Sequence, residues 1–362
     1  MSTLFTPTKV GELLLKHRVV GAPMTRLRSE PNDAPSAMMA EWYGQRASEG
    51  GLQIAESSSV SAAGRAYLGA PGLYSDEQIA GWKKVTDAVH AKGGYLIAQV
   101  YDPGRVGHVD NNGGVAPAGP SVVPFDSHVV TADGLVDGTP DRAYETAEIP
   151  GVIELFRQAA VRALEAGFDG IELHGANGYL VDQFLQDGTN KRTDEYGGPL
   201  ENRARFVLEA LNALISVWGS QRVGLRVSPS GEWGDISDSD PERTFGYLAE
   251  QLNPLQLAYL HVIEPRIKGD DWLHEGQEPV ASAFLRKTFT GPIIAAGGFD
   301  REGADGILDR GEADLVAFGR WFSSNPDLPV RLQKGLPLTP YDRQYFWGGT
   351  ERGYTDYPVY GG

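Results

Sequence analysis

The chain has 362 residues, 41% of them apolar and 22% charged, with no cysteine and a net charge of −16. The missing cysteine excludes disulfides, thiolate zinc sites, cysteine-ligated iron–sulfur clusters and cysteine nucleophiles, and the negative charge opposes broad attraction to nucleic acid or anionic lipid. No apolar stretch is long enough to span a membrane, and the first residues lack a secretory pattern. We therefore expect a cytoplasmic protein with no nucleic-acid or membrane partner.

Strand-like and helix-like segments alternate along the chain after an N-terminal hairpin, which we expect at residues 4–9 and 12–15 as a floor cap. The clearest helix begins after Ser75, which has the capping-box spacing with Gln78, and Gly93 ends it. Two later helices end at Gly167 and Gly219. Eight strands are predicted, at residues 19–22, 52–56, 95–100, 171–174, 223–228, 258–263, 292–295 and 315–318.

Eight strand–helix units predict an α/β fold, a closed (β/α)8 TIM barrel. The alternative is an open, doubly wound sheet, which usually carries a G-x-G-x-x-G turn after an early strand, and this chain has none. The long insertion after the third strand, residues 102–150, is expected to form a lid. Residues 122–123 and 128–130 are its candidate hairpin strands.

The active site of such a barrel lies where the strands end. Gly297, Gly298 and Gly319 allow close backbone approach after the last two strands, and Arg320 can bind a phosphate. A tight turn and a surface ion pair would explain the same residues without a ligand.

Arg226 is expected to face the barrel interior, because Leu225 and Val227 then face the helices. A buried arginine needs an anionic partner. That partner is either a flavin ring, which gains negative charge on reduction, or an inward carboxylate such as Glu172. Gln99 and Thr25 could bind the edge of the same flat ring.

His174, Asn177 and Tyr179 follow the fourth strand within six residues. They place neutral hydrogen-bonding groups at one rim, suited to holding a carbonyl or nitro oxygen while another group delivers hydride. The strand ends carry no carboxylate pair suited to glycoside hydrolysis and no set of metal ligands, so we expect no metal.

Several stretches are highly specific, and through them the chain resembles the Old Yellow Enzyme family of FMN-dependent ene-reductases over nearly its whole length. The relatives it resembles most are the bacterial N-ethylmaleimide, morphinone and nitrate-ester reductases. The stretches that carry the resemblance are Ala22-Pro23-Met24-Thr25-Arg26, Tyr43-Gly44-Gln45-Arg46-Ala47-Ser48, residues 174–185, residues 190–198, residues 201–206 and Gly319-Arg320 with residues 325–328.

The resemblance implies a role for each candidate residue. His174 and Asn177 match the pair that binds the substrate's activating oxygen, and Tyr179 matches the proton donor. The positions that match flavin-ring and ribityl contacts are Pro23, Met24, Thr25, Ser57, Gln99 and Arg226. The positions that match the phosphate loops are Gly298, Gly319 and Arg320, with Gly297 beside them.

The resemblance also implies the reaction. NADPH or NADH would give hydride to bound FMN, and an activated alkene (an enone, maleimide or nitroalkene) or a nitrate ester would then take it, in ping-pong order. Residues 1–362 would form a single FMN-binding domain, as a monomer or a homodimer. Another FMN barrel dehydrogenase, a quinone or nitro-compound reductase, and a flavin-binding barrel without turnover are the alternatives.

The chain departs from the family pattern beside the substrate pocket. Tyr101 and Asp102 stand where relatives usually have Trp and His, and Trp347 stands where they often have Tyr. Tyr67 matches a pocket tyrosine. We therefore predict a reshaped pocket with altered substrate size or facial selectivity, and retained flavin.

Overall fold

In the computed structural model, which describes residues 2–124, 128–139, 141–265, 267–268, 271–272 and 281–361, eight parallel strands close into a barrel. The eighth strand pairs with the first through Val316 and Val19, which completes the circle. In chain order the barrel strands are β1 Val19–Gly21, β2 Leu52–Ser59, β3 Tyr95–Tyr101, β4 Gly170–Gly175, β5 Val223–Val227, β6 Tyr259–Ile263, β7 Ile293–Ala296 and β8 Leu315–Phe318.

The predicted TIM barrel is therefore confirmed, and the open sheet is wrong. Each predicted strand is present, and only the second is extended by more than one residue at an end, to Ser59.

Helices connect the strands around the outside of the barrel. Their bounds are α1 Ala37–Arg46, α2 Asp76–His90, α3 Ile149–Glu165, α4 Leu180–Leu185, α5 Leu200–Arg203, α6 Arg205–Trp218, α7 Pro241–Leu252, α8 Ala281–Arg286, α9 Arg301–Asp309, α10 Arg320–Ser324 and α11 Leu328–Lys334. The capping box predicted at Ser75 and Gln78 is present at the start of α2. Gly93 and Gly219 have φ angles of 69° and 71°, the left-handed conformation that suits glycine where a helix stops.

Two apolar layers hold the barrel together. Alternate strand residues such as Leu225 and Val227 face outward into the layer between strands and helices. The inner layer fills the lower barrel and includes Val20, Ile97 and Ile294. Val10 and Leu15 of the antiparallel pair Thr8–Val10 and Leu13–Leu15 pack into this inner layer, so the N-terminal hairpin covers the floor. The strands begin later than residue 4 because Thr3–Phe5 forms a 3-10 turn.

The insertion after β3 differs in detail from the prediction. His128–Thr131 pairs with Gly134–Asp137 across a tight turn, not with residues 122–123. Residues 122–123 form no strand, and the carbonyl of Val123 accepts a hydrogen bond from the Arg105 guanidinium. Gly134 has a φ angle of 101°, which suits the turn. The prediction of a strand at 122–123 is therefore wrong.

Candidate active site

A cavity of about 600 Å³ opens at the carboxyl ends of the barrel strands. Most of the residues singled out from the sequence border it. They are Pro23, Met24, Thr25, Ser57, Tyr67, His174, Asn177, Tyr179, Arg226, Gly297, Gly298, Gly319, Arg320 and Trp347. Gln99 and Tyr101 do not border the cavity and lie behind residues that do. Val130, on the hairpin of the insertion, also borders the cavity, so the insertion reaches the cavity mouth.

The turn after β4 fixes the position of Asn177. Its φ angle of 57° lies in the left-handed region, which asparagine tolerates better than most residues. Its backbone N–H donates to the Ser228 hydroxyl at 2.9 Å, and the next N–H, of Gly178, donates to the Asp182 carboxylate at 2.9 Å. These two hydrogen bonds fix the backbone at Asn177 and Gly178, and so they fix the position from which the Asn177 side chain extends.

Tyr179 lies among aromatic rings at the rim. Its ring packs edge-on against His174 and Tyr101, with centroids 5.1 and 5.0 Å away, and is tilted against Trp233 at 5.4 Å. Its hydroxyl lies 3.2 Å from the Tyr67 hydroxyl. Burial raises the pKa of Tyr179 to about 12, although Tyr67 and Arg226 act in the opposite direction. The phenol therefore keeps its proton at neutral pH, as a general acid must.

His174 is buried on β4, beside Arg226 on β5. Burial, with the nearby Arg226 charge, holds the pKa of His174 well below its usual value, so the imidazole is neutral. Its Nδ1 is buried without a hydrogen-bond partner. A neutral imidazole can donate one hydrogen bond to a substrate oxygen without placing a full positive charge in the cavity.

Arg226 faces the barrel interior, as its alternation with Leu225 and Val227 predicted. It borders the cavity, and its Nε is buried without a partner. Glu172, also in the interior, attracts the guanidinium electrostatically. Gln99 is fully buried, and its carbonyl accepts from the Ser57 hydroxyl at 2.5 Å.

Glycines shape the cavity wall after β7 and β8. Gly297 and Gly298 have φ angles of 140° and 64°, which disfavour any other residue. A Cβ on Gly319 would lie 3.1 Å from the Met24 sulfur, so glycine leaves the room that the Met24 side chain occupies. These turns expose backbone to the cavity beside Arg320, a combination that suits an anionic group such as phosphate.

Tyr101 ends β3 and Asp102 follows it, directly behind the rim. Both are buried, and the Asp102 carboxylate accepts the Gly104 N–H at 2.8 Å. Burial raises the pKa of Asp102 to about 6, although the Gly104 N–H acts in the opposite direction. The Asp102 carbonyl also accepts the Leu180 N–H at 3.0 Å, which ties this position to the start of α4 and to Tyr179.

The C-terminal segment forms one wall of the cavity through Phe346 and Trp347. Arg26 follows Thr25 in the chain and is buried. It donates to the Phe346 carbonyl at 2.8 Å and to the Gly353 carbonyl at 3.0 Å. Arg28 stacks on the Tyr354 ring, with its guanidinium carbon 4.2 Å from the ring centroid. The residues that follow β1 therefore fasten the C-terminal wall to the rim.

Sequence reasoning missed several cavity residues, among them Trp233, Tyr341 and Phe346. Trp233 follows β5, a strand end where barrel sites are expected, so its position was a usable signal. Tyr341 and Phe346 lie far beyond the last strand, and long-range contacts such as Arg26 with the Phe346 carbonyl and Trp321 with the Tyr341 ring bring that segment to the cavity.

Comparison with known proteins decides the family. Residues 3–339 match the model of the NADH:flavin oxidoreductase / NADH oxidase family. The 12-oxophytodienoate reductase 1 of Oryza sativa subsp. japonica is 45% identical, over 98% of this chain and 92% of that protein. The flavin oxidoreductase hxnT of Emericella nidulans is 42% identical, over 99% of this chain and 98% of that protein. The chain belongs to the Old Yellow Enzyme family.

Solved structures of Old Yellow Enzyme relatives indicate the branch of the family to which the chain belongs. Morphinone reductase in complex with tetrahydroNAD superposes with a TM-score of 0.91 at 44% identity, covering 98% of this chain and 97% of that one. The Old Yellow Enzyme homologue of Zymomonas mobilis gives 0.93 at 38% identity, covering 99% of each. The chain thus belongs with the bacterial morphinone reductase branch, and it is an oxidoreductase that uses FMN and a nicotinamide hydride donor.

The residues that line the cavity of this Old Yellow Enzyme relative are chemically suited to bind FMN. The unpartnered Arg226 Nε offers a buried donor to a ring that becomes negative on reduction. The glycine turns after β7 and β8, together with Arg320, are suited to bind the phosphate group. Within the described ranges, no group of three or more His, Asp or Glu side chains is arranged to hold a metal ion. No helix in those ranges is long and apolar enough to cross a membrane.

Proposed function

We propose that this protein reduces activated alkenes such as enones, maleimides and nitroalkenes, with NADPH or NADH as the hydride source. The observation that carries the proposal is the arrangement of Tyr179 and His174. A phenol that stays protonated and an imidazole that stays neutral lie with ring centroids 5.1 Å apart at the rim of one cavity.

Chain residues would hold FMN across the cavity floor. Thr25, Ser57 and Arg226 would bind the ring, with Gln99 acting through Ser57, and Pro23 and Met24 would pack against it. Gly297, Gly298, Gly319 and Arg320 would bind the phosphate. When bound, FMN would accept hydride from the nicotinamide and then release it to the β-carbon of the alkene.

His174 and Asn177 would donate hydrogen bonds to the carbonyl or nitro oxygen of the substrate. Negative charge grows on that oxygen as hydride reaches the β-carbon, so fixed donors lower the barrier. Tyr179 would then give its phenol proton to the α-carbon as general acid. The hydride electron pair forms the new C–H bond at the β-carbon, and the alkene π electrons take up the Tyr179 proton.

The relatives support this proposal. Morphinone reductase has been solved with tetrahydroNAD bound, and the rice relative is named a 12-oxophytodienoate reductase. We extend these properties to this chain on the strength of 44% and 45% identity over nearly its whole length. We further propose that residues 1–362 act as one FMN-binding domain, present as a monomer or homodimer.

Isotope labelling of the product tests the reaction. NADPH carrying deuterium at the transferred position should label the β-carbon of cyclohexanone formed from 2-cyclohexenone, and turnover in D₂O should label the α-carbon. Reduction of quinones or nitro compounds without enone turnover would instead support a reductase with a reshaped pocket. Substrate oxidation without NADPH or NADH consumption would indicate a dehydrogenase.

A further inference from the structure

A buried polar network lies in the barrel interior and is centred on Glu172. This carboxylate has no exposed surface. One oxygen accepts from the Gln99 amide at 2.6 Å, and the other lies 2.9 Å from Nδ1 of His261. A carboxylate buried this completely must be matched by specific partners, and Glu172 draws them from the strands on both sides.

The strand register explains how Glu172 reaches both partners. It lies beside Gln99 on β3, and beside Gly224 on β5. Gly224 has no side chain, and a Cβ there would lie 2.4 Å from the Tyr259 ring. The Tyr259 ring fills the room that this glycine leaves, and Glu172 reaches across β5 to His261 on β6.

Glu172 fixes the direction of the Gln99 amide. An ionised carboxylate only accepts hydrogen bonds, so the Gln99 NH₂ group must face Glu172 and its carbonyl must face the Ser57 hydroxyl. Ser57 borders the cavity. Glu172 inside the barrel therefore determines, through Gln99, how the Ser57 hydroxyl at the cavity is oriented.

The register also brings the same carboxylate near Arg226, because Glu172 pairs with Gly224, two residues before Arg226 on the same face of β5, and its charge attracts the guanidinium. Burial would raise the pKa of Glu172, but His261 and Arg226 outweigh burial and lower it, so the group is ionised. Burial holds the pKa of His261 below its usual value, against the pull of Glu172. His261 is then a neutral donor through Nδ1, and its Nε2 is buried without a partner. Glu172 therefore carries the full negative charge that faces Arg226.

We propose that Glu172 is a positioning residue that offsets the Arg226 charge at the cavity and so would keep reduced FMN, when bound there, a strong hydride donor. The inference rests on the function proposed above. A positive charge beside the ring stabilises reduced FMN, whose negative charge would otherwise be buried, and so favours reduction by the nicotinamide. Stabilised too far, the reduced ring gives hydride to an alkene slowly. A buried carboxylate beside Arg226 moderates that stabilisation.

Glu172→Gln in the FMN-loaded enzyme tests the proposal, because glutamine keeps the size and an acceptor for Gln99 but loses the charge. We expect the FMN reduction potential, measured by spectroelectrochemistry, to rise. Reduction by NADPH should not slow, whereas reoxidation by 2-cyclohexenone should slow by about tenfold, the scale of one buried charge at a reacting centre.

Asp169→Asn is the matched control. Asp169 directly precedes the same strand at its opposite end, where it accepts from the Leu96 N–H at 2.8 Å and pairs with His90. The control loses the same formal charge far from the cavity, so its potential should equal that of the wild type. A Glu172→Gln potential equal to that of the control, with FMN bound, would overturn the proposal.

His261→Asn tests the direction of the change in reduction potential independently, and it replaces Glu172→Gln if that variant does not retain FMN. It removes one of the partners that keep Glu172 ionised, so the potential should rise toward that of Glu172→Gln or stay unchanged; a fall would overturn the proposal. Wild-type FMN that NADPH cannot reduce would instead reject the proposed function itself, and that result is read before any variant.

Discussion

The hydroxyls of Tyr67 and Tyr179 lie 3.2 Å apart at the mouth of the barrel, and Tyr67 comes from the loop after β2 while Tyr179 follows β4. Burial raises the pKa of both, so both phenols remain protonated and one donates to the other. Tyr67 thus orients the hydroxyl that we assign as the proton donor. The hydrogen bond fixes the direction of the Tyr179 hydroxyl, and the raised pKa values keep both hydroxyls protonated.

Tyr179→Phe should therefore separate the two halves of the reaction. Reduction of FMN by NADPH should proceed at the wild-type rate, and reoxidation by 2-cyclohexenone should fall by about 10²–10⁴-fold, the usual contribution of a general acid. Stopped-flow absorbance of the flavin measures each half alone. Tyr67→Phe is the control, because it removes only the orienting partner, and its loss should be much smaller. Equal loss in both halves for Tyr179→Phe would contradict the assignment.

Asn177→Gly should remove the substrate-binding amide and leave the turn intact, because glycine accepts the φ angle of 57° readily. Enone reduction should fall by about 10²–10³-fold, as when one oxyanion donor is lost. The melting temperature should stay near that of the wild type. Asn177→Ala should lose the same activity and also lower the melting temperature, since alanine is strained at that angle. Full activity in Asn177→Gly would show that the amide does not hold substrate.

Asp102→Asn should stabilise the protein in a pH-dependent way. The folded pKa of Asp102, about 6, lies above its usual value of 3.8, so its favourable contribution is present at low pH and is lost as pH rises through about 6. Asparagine carries no such dependence. The difference in unfolding free energy, variant minus wild type, should therefore grow from about pH 4 to about pH 8, by at most about 3 kcal/mol. Urea denaturation at both pH values measures it, and a constant difference would contradict the buried carboxylate.

Tyr101→Trp should change selectivity toward bulky enones. Tyr101 packs edge-on against Tyr179 and lies with its centroid 6.4 Å from that of His174, so a larger indole must press on both rings. Reshaping a pocket by about one methylene group is worth about 10–200-fold in discrimination, and the enantiomer ratio should shift on that scale. Tyr101→Phe keeps the ring and should behave as the wild type. Chiral chromatography across a series of enones reads the result, and an unchanged ratio in Tyr101→Trp would refute a pocket role.

Particular residues show why parts of the site were predictable from sequence. Period-two alternation correctly put Arg226 inside the barrel, and chain order correctly put Gly298 and Arg320 at the cavity, because parallel strands end at one rim. Contacts across the barrel were not predictable in this way. The Glu172–His261 pair depends on the register of three strands, and no local pattern contains that information.

Tyr101 illustrates a different limit. Its position at the end of β3 was correct, but whether its ring enters the cavity depends on packing against Tyr179, and the structure places it behind the rim. The wall formed by Phe346 was missed for a similar reason, since it depends on a hydrogen bond from Arg26, over 300 residues earlier in the chain.

The most direct test of the account is an anaerobic absorbance titration of the FMN-loaded protein, first with NADPH and then with 2-cyclohexenone. The account predicts that the flavin bands bleach with NADPH and return with the enone, in a stoichiometric cycle. Bands that bleach and do not return would contradict alkene reduction and direct attention to quinones and nitro compounds. Failure to bind FMN at all would contradict the proposed cofactor site.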